Sequence, residues 1–277
     1  MLKLGEWVNL EIIKRVPFGF YLKQGSLEIL LPTKYTNDSM QVGDFIDVVI
    51  YTDSNDRLIA TTLTPKALAN TFASLRVVDI NPIGAFVDIG LEKHVLVPKS
   101  QQVSNLSVDK NYVFYVYADK LTNRLIATEK VEKYLYTEHI DLEINQEVEL
   151  LTYKATPLGY KVIVDNRYYG MLYHNELFEP ISVGYSARGY VKQIRDDGKL
   201  DITLQMLGVD NLLDAKNKIL SKLNAAKGFL NLNDSSESMA IKNALQMSKK
   251  TFKRAVGMLY KESKIVFEGD GIRLNVE

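Results

Sequence analysis

The sequence predicts a mainly β protein with a smaller α part, built from three tandem five-stranded barrels and a helical C-terminal domain. Two landmarks recur along the chain in the same order, which indicates duplicated units. The tripeptide Pro-x-Gly begins at Pro17, Pro82 and Pro157, and a polar turn that runs into an apolar strand follows each one about forty residues later. After Gly208 the spacing of apolar residues changes from a period of two to a period of about 3.6, which predicts helices.

The composition sets the broad class of the protein. At 277 residues, with 46% hydrophobic and 25% charged residues, the chain has room for several small domains. It contains no apolar run long enough to cross a membrane, and its first residues lead into a strand pattern instead of a secretion signal. We therefore expect a cytoplasmic protein with no membrane partner. The lack of cysteine in the sequence excludes disulfides and thiolate chemistry.

Charge is distributed unevenly, although the net charge is zero. Residues 1–137 hold 15 basic and 15 acidic residues, and residues 138–208 hold 7 basic and 11 acidic residues. Residues 209–277 hold 12 basic and 8 acidic residues, a balance of +4. A polyanionic partner is therefore expected to be attracted mainly to the C-terminal domain.

Each repeated unit has the pattern of a small antiparallel barrel. In the first unit, residues 7–12 alternate between apolar and polar side chains, and the 17–19 turn leads into a second strand. The alternation places Phe20 and Leu22 in the barrel interior and Tyr21 on its surface. We predict that the glycine of the turn is a β-bulge, which would let the strand coil tightly. Further strands are predicted at 27–32, 45–50 and 58–62, and five short strands in about 65 residues match an OB-type barrel.

The repeats divide the chain into four predicted domains. Residues 1–66, 67–137 and 138–207 are predicted to be barrels, the third of them degenerate, and residues 208–277 form the last domain. The charged segment 129–135 is predicted to be a helical connector after the second barrel. Within the third barrel, Asp196-Asp197-Gly198 is a hairpin turn signal.

The last domain has three helix signals and a terminal hairpin. Helices are predicted at 212–223, 235–247 and 249–261, with a short strand at 229–232 and a hairpin at 264–274. This order is typical of a winged helix, a variant of the helix-turn-helix. Ser248 is the predicted N-cap of the third helix, in which an apolar stripe lies opposite a row of cations. These cations are predicted to bind nucleic acid, with a merely solvated helix face as the alternative: Lys249, Lys250, Lys253, Arg254 and Lys261.

Several motifs give the chain a family resemblance. The run Gly-x-Phe-Val-Asp-x-Gly at 84–90 and the pattern Asp-x-x-x-Arg-Leu-Ile at 53–59 resemble the S1 RNA-binding domain, and 170–177 is similar to another S1 motif with Asn175 in place of serine. The order of three S1-like units and a winged helix resembles the conserved virulence factor B family, whose C-terminal signature is similar to residues 247–261. The resemblance implies a bacterial RNA-binding regulator of gene expression, including virulence genes, with no enzymatic activity.

The S1 resemblance also implies which residues bind RNA. In S1 domains two aromatic rings stack on bases, while a His, an Asp and an Arg complete the same face. The matching residues are Phe18, Tyr21, Asp53 and Arg57 in the first unit, Phe86, Asp119 and Arg124 in the second, and His174 and Lys199 in the third. Alternatively, the rings pack at the rim and the Asp–Arg pairs only shape hairpins.

The second and third units depart from the S1 pattern. Ile83 takes the first aromatic position of the second unit, and Leu158 and Lys161 take both aromatic positions of the third. Pro32 and Pro98 stand where the first two units would carry the His. We therefore expect the third unit to act mainly as scaffold, with Leu158 in its core.

An enzyme and a DNA-binding transcription factor are the two alternatives to an RNA-binding protein. An enzyme is disfavoured, because the chain has three histidines and no cysteine, phosphate-binding glycine motif or metal-ligand spacing, so no cofactor is expected. The competing binding hypothesis is a transcription factor that uses the winged helix on duplex DNA, with the barrels as ligand or protein modules. Single-stranded RNA is the favoured partner, and the sequence predicts no particular protein partner.

Overall fold

The computed structural model describes residues 2–119, 121–177, 179–205 and 209–275. Three closed five-stranded barrels come first along the chain, and a domain of three helices and a three-stranded sheet follows. The predicted fold class, mainly β with an α part, is therefore confirmed. Among the described residues, no helix combines the length and the apolar character needed to span a membrane.

Barrel 1 has the strand order β1-β2-β3-β5-β4 around a closed sheet. Its strands are β1 (Trp7–Val16), β2 (Gly19–Gln24), β3 (Leu27–Pro32), β4 (Phe45–Thr52) and β5 (Leu58–Thr61). The β3–β5 pair is parallel, and the other neighbours are antiparallel. Phe20 and Leu22 are buried in the interior and Tyr21 is partly exposed, as the alternation predicted. A 3-10 turn, Thr33–Tyr35, follows β3.

Barrels 2 and 3 repeat this topology. The strands of barrel 2 are β6 (Thr71–Asn81), β7 (Gly84–Asp88), β8 (Val95–Pro98), β9 (Asn111–Asp119) and β10 (Arg124–Thr128). Those of barrel 3 are β11 (Glu147–Thr156), β12 (Gly159–Val164), β13 (Tyr168–Tyr173), β14 (Ser186–Ile194) and β15 (Leu200–Thr203). The connector predicted as a helix over 129–135 is only a 3-10 turn, Val131–Tyr134.

The glycine of each Pro-x-Gly turn is not a β-bulge, contrary to the prediction. A register shift lies in the first strand of each barrel, at Ile12/Lys14, Val77/Asp79 and Thr152/Lys154, and barrel 3 has a further one in β14 at Val191/Gln193. The glycine is instead the first residue of the second strand, where the backbone of the third strand passes very close to it. A Cβ atom on Gly19 would lie 2.0 Å from the Leu31 carbonyl oxygen, and Gly84 and Gly159 have the same constraint. Glycine is therefore required by strand contact, while the extra residue in the first strand provides the bend.

Barrels 1 and 2 share an apolar interface. Leu125 of barrel 2 packs against the core of barrel 1, and Tyr51 and Ile59 of barrel 1 belong to the core cluster of barrel 2. The Ala69 amide donates a hydrogen bond to the Gly5 carbonyl at 2.7 Å, which fixes the connecting segment against barrel 1. The two barrels are thus packed together as one unit.

Barrel 3 is joined to barrel 2 by polar and apolar contacts. The Asn166 side chain accepts a hydrogen bond from the Phe72 amide at 2.7 Å and donates one to the Asn70 carbonyl at 3.3 Å. Val113 and Val131 of barrel 2 and its connector pack with Ile163 in a small buried cluster. These contacts place the 131–134 connector between the two barrels.

The C-terminal domain is a winged helix. Its elements are α1 (Val209–Ala225), β16 (Phe229–Leu230), α2 (Ser238–Leu245), α3 (Lys249–Lys261), β17 (Ile265–Glu268) and β18 (Gly271–Leu274), with sheet order β16-β18-β17. The apolar sides of α1 and α3 and the inward residues of the sheet form one core around Ile219, Phe252 and Ile272. The β17–β18 hairpin is the wing.

Local side-chain hydrogen bonds set the starts of α2 and α3. The helix α2 begins at Ser238, later than the predicted Ser235, because the Asn233 side chain accepts hydrogen bonds from the backbone amides that follow it and holds them in a turn. The prediction for α3 is confirmed at both ends. The Ser248 hydroxyl accepts a hydrogen bond from the Thr251 amide at 3.1 Å, which makes it the N-cap.

Leu158 does not lie in the core of barrel 3, so that expectation is wrong. The Pro-x-Gly turn projects from each barrel, and its central side chain is 68% exposed at Leu158, 61% at Ile83 and 55% at Phe18. We predict that Leu158→Ala changes the free energy of unfolding by less than about 0.5 kcal/mol. Urea unfolding measures this, with the fully buried Leu172 as control, whose replacement by alanine should cost about 2–5 kcal/mol. A loss at Leu158 of the size seen at Leu172 would contradict the prediction.

Candidate nucleic-acid interface

On the surface of barrel 2, a row of partly exposed aromatic and apolar side chains lines a cleft. Phe86 on β7 pairs with Leu96 on β8, which in turn pairs with Ile126 on β10, and all three are partly exposed. Together with Ile83 and Arg124 they line a cleft of about 250 Å³. The structure therefore brings together Phe86 and Arg124, two residues that the S1 resemblance selected.

Barrel 1 closes one side of this cleft. Tyr51 and Thr52, at the end of β4, line it beside the barrel 2 residues. The adjoining hairpin is fixed by Asp56, which forms ion pairs with Lys93, at 2.9 Å, and with Arg124. Hydrogen bonds from these two cations lower the pKa of the Asp56 carboxyl. Sequence reasoning missed this contact, because Asp56 and Arg124 lie 68 residues apart and face each other only after the barrels have packed.

Barrel 1 has the corresponding row, but it is partly covered. Tyr21 pairs with Leu30, and Leu30 pairs with Ile59. Ile59 is buried against barrel 2, so the open part of this surface lies around Tyr21 and the exposed Phe18. Of the two barrel surfaces, the one on barrel 2 is the more complete.

The predicted aspartates hold hairpin turns. The Asp53 carboxylate accepts hydrogen bonds from the Asn55 and Arg57 amides and pairs with the Arg57 guanidinium at 2.8 Å. Partial burial alone would raise the pKa of the Asp53 carboxyl. The hydrogen bonds outweigh this effect, so the pKa lies below its usual value. The Asp119 carboxylate likewise accepts from the Thr122 amide and hydroxyl, at 3.0 and 2.6 Å. Both side chains thus have a structural role in their turns.

The histidine position differs from the one expected. Gly19, Gly84 and Gly159 pair with Pro32, Pro98 and Tyr173 respectively, so the two prolines are equivalent to Tyr173. His174 opens the 3-10 turn that follows, and its counterparts are Thr33 and Lys99. The His174 ring lies edge-on to Tyr160, and its Nε2 atom is 3.3 Å from the Thr156 carbonyl oxygen.

In barrel 3 a partly exposed aromatic ring lies on β13, and not on β12 where the S1 motif places its aromatic residues. The row of this barrel is Lys161–Met171–Asp201, which contains no ring, but Tyr169 lies on the same side of β13 as Met171. The ammonium groups of Lys161 and Lys199 each lie 5.5 Å from the centre of the Tyr169 ring. The change of strand explains why the spacing of the sequence motif did not reveal this ring.

The cations predicted on the barrels are all paired with acids. Arg57 pairs with Asp53, Arg124 with Asp56, and Lys199 with Asp197 at 2.6 Å. A phosphate that approaches one of these cations must compete with a carboxylate. This competition lowers the gain from each contact.

The cations of α3 are placed differently. Phe252, Ala255, Val256 and Leu259 are buried on one side of the helix, and the opposite side faces solvent. The exposed cations there are Lys250, Lys253, Arg254 and Lys261, while Lys249 is half-buried with its ammonium group 3.3 Å from the Ser235 carbonyl oxygen. Within the part of the chain that the structure describes, no acid forms an ion pair with any of these five. This side of α3, the basic side, therefore presents a row of cations that are available to phosphate.

The fold and the surface geometry define a protein of tandem S1-type barrels with a C-terminal winged helix. The family model described as an S1 domain matches residues 4–63 and 71–130, and the CvfB-like winged helix domain matches residues 217–274. S1 barrels and winged helices are both domains of nucleic-acid-binding proteins. The chain belongs to the conserved virulence factor B family.

Named relatives cover most of the chain. The uncharacterized protein YitL of Bacillus subtilis is 30% identical over 95% of this chain and 91% of that protein. Conserved virulence factor B of Staphylococcus saprophyticus is 28% identical over 86% of this chain and 82% of that protein. Among solved structures, a multidomain protein with nucleic acid binding domains from Streptococcus pneumoniae is 24% identical over 98% of both chains, with a TM-score of 0.45.

Proposed function

We propose that this chain is a non-catalytic RNA-binding protein that binds single strands and regulates gene expression after transcription. The observation that carries the proposal is the presence, on one chain, of an aromatic cleft in an S1 barrel and a helix side whose cations pair with no acid of the described residues. Bacterial messenger RNA is found in the cytoplasm, which is therefore the proposed location. The name of the staphylococcal relatives supports an effect on virulence genes.

The two surfaces supply different parts of the binding energy. Cations that no carboxylate engages can contact phosphates directly, and they release counterions from the nucleic acid when they do. As far as the structure describes the chain, the basic side of α3 has such cations, whereas Arg57, Arg124 and Lys199 on the barrels are paired. The barrel 2 cleft instead presents a ring and aliphatic side chains on which a base can stack. We infer that α3 provides most of the electrostatic attraction and barrel 2 a base contact.

A single strand fits this arrangement better than a duplex. A base can lie on the Phe86 ring only when its own faces are free, and in a duplex both faces are covered by neighbouring bases. The cleft is also bounded on one side by Tyr51 and Thr52 of barrel 1, so a base that enters it meets side chains of both barrels. The stacking requirement favours RNA in single-stranded regions over duplex DNA.

The test compares the intact protein on single-stranded RNA and on duplex DNA of equal length at several salt concentrations. We expect tighter binding to the RNA, with an affinity that falls linearly with salt on a double logarithmic scale. No RNA binding at low salt, together with tight binding of duplex DNA, would replace the proposal with the transcription-factor hypothesis.

A further inference from the structure

Two exposed aromatic rings lie together where α3 meets the wing. Tyr260, near the end of α3, is 53% exposed, and Phe267, on β17, is 45% exposed. Their ring centres are 5.3 Å apart and the ring planes are inclined at 49°. Each ring therefore keeps a large part of its surface in water while it contacts the other. We call Tyr260 and Phe267 the wing aromatic pair.

The wing aromatic pair adjoins the basic side of α3. Tyr260 follows Lys253 by seven residues, roughly two helical turns, so both side chains project in nearly the same direction. Lys261 is the next residue and is exposed. One turn before Tyr260 lies Gly257, where an added Cβ atom would meet no heavy atom within 4 Å. A strip of bare helix backbone thus separates the ring of Tyr260 from the cations of the preceding turns.

Two of the acids near the wing aromatic pair are engaged in ion pairs elsewhere, while Asp270 in the wing turn is exposed and forms no ion pair among the described residues. Glu262 pairs with Lys216 and with Lys264, and Glu268 pairs with Arg273 across the wing. The exposed cations of α3 form no such pairs among the residues that the structure describes. An anion that approaches the wing aromatic pair therefore meets cations that are available, and the carboxylates of Glu262 and Glu268 are already neutralised in part.

The wing aromatic pair is not required to hold the wing in place. Ile265 on β17 and Ile272 on β18 are fully buried in the core of the domain. The β17–β18 ladder extends over four residue pairs, and β18 also pairs with β16. Packing and the ladder hold the hairpin, so the part of each ring that faces solvent is available for another contact.

We propose that the wing aromatic pair binds an unpaired base of single-stranded RNA whose phosphates lie on Lys253, Arg254 and Lys261. This inference rests on the proposed function and adds a base-binding site to a domain whose other proposed contacts are with phosphates. Exposed rings bind bases of any sequence by stacking, and flanking cations hold the backbone. The lack of a side chain at Gly257 lets that backbone pass close to the helix.

The experiment uses the full-length protein with Tyr260 and Phe267 both replaced by alanine. Affinity is measured for an unstructured RNA of about twelve nucleotides and for a duplex of the same length. We expect affinity for the single strand to fall about tenfold, because stacking on the rings is lost. The salt slope, the affinity for the duplex and the melting temperature should stay as in the unchanged protein, since no charge and no core residue is altered.

Phe45→Ala is the matched control, because Phe45 is an aromatic ring that is 66% exposed and belongs to barrel 1, not to the domain of α3. It should change neither affinity. Should the double alanine variant melt at a lower temperature, a variant with leucine at both positions takes its place, since leucine keeps apolar contact but offers no flat ring.

The outcomes separate this inference from the function on which it rests. Unchanged affinity for the single strand, or an equal loss for single strand and duplex, would overturn the stacking site while the RNA-binding function stands. If the unchanged protein fails to bind single-stranded RNA, the proposed function itself is wrong, and the stacking site with it.

Discussion

Replacing Lys249, Lys250, Lys253 and Arg254 with alanine is expected to lower the affinity for single-stranded RNA about a hundredfold at low salt. Each lost phosphate contact should also make the slope of log affinity against log salt shallower by about 0.7. The domain should remain folded, because the buried stripe and the Ser248 cap are untouched and alanine favours a helix. Fluorescence anisotropy over a salt series measures the affinity and the slope together.

The control for this experiment removes the same number of charges elsewhere. Lys3, Lys110, Lys218 and Lys222 are exposed and lie outside α3, so their replacement by alanine changes the net charge equally. If the attraction arises on the basic side of α3, this control should retain most of the affinity. Equal losses in the two variants would show that overall charge, and not this helix, determines binding.

Replacing Phe86 with alanine is expected to cost about 1–3 kcal/mol of RNA affinity, because the ring forms the stacking surface of the barrel 2 cleft. Its effect on thermal stability should be small, since the side chain is only partly buried. Val87, the neighbouring inward residue, is fully buried, so Val87→Ala should lower stability instead. A large fall in the melting temperature of the Phe86 variant would show that the ring belongs to the core.

Tyr21→Ala should have a smaller effect on RNA affinity than Phe86→Ala. The two residues hold equivalent positions, but the row on barrel 1 ends at Ile59, which is buried against barrel 2. A base stacked on Tyr21 would therefore have less apolar surface beside it. Titration of the two variants with the same RNA tests the ranking.

The fold could be predicted because its signals are local. A Pro-x-Gly turn, alternating strands and a change of period after Gly208 depend on residues close together in the sequence, and all three recur or persist over long stretches. The same signals could not distinguish a bulge from a close strand contact. Both situations favour glycine, and only the position of Leu31 across the sheet shows which of them applies to Gly19.

The site was less predictable because it depends on contacts between distant segments. The cleft at Phe86 gains a wall from barrel 1, and its Arg124 is held by Asp56 of that barrel. No pattern within one repeat contains this information. The ring on barrel 3 was not predicted for a related reason. Tyr169 lies on β13, whereas the S1 motif places aromatic residues at the start of β12.

The shared cleft makes barrels 1 and 2 a single thermodynamic unit for any ligand that occupies it. Tyr51 and Arg124 come from different barrels, and a molecule in contact with both binds fully only while both barrels are folded and docked. By mass action, such a ligand stabilises the folded pair in proportion to the logarithm of its concentration once that exceeds the dissociation constant. RNA bound there would therefore delay the unfolding of barrel 1 as well as that of barrel 2, although most of the cleft lining belongs to barrel 2.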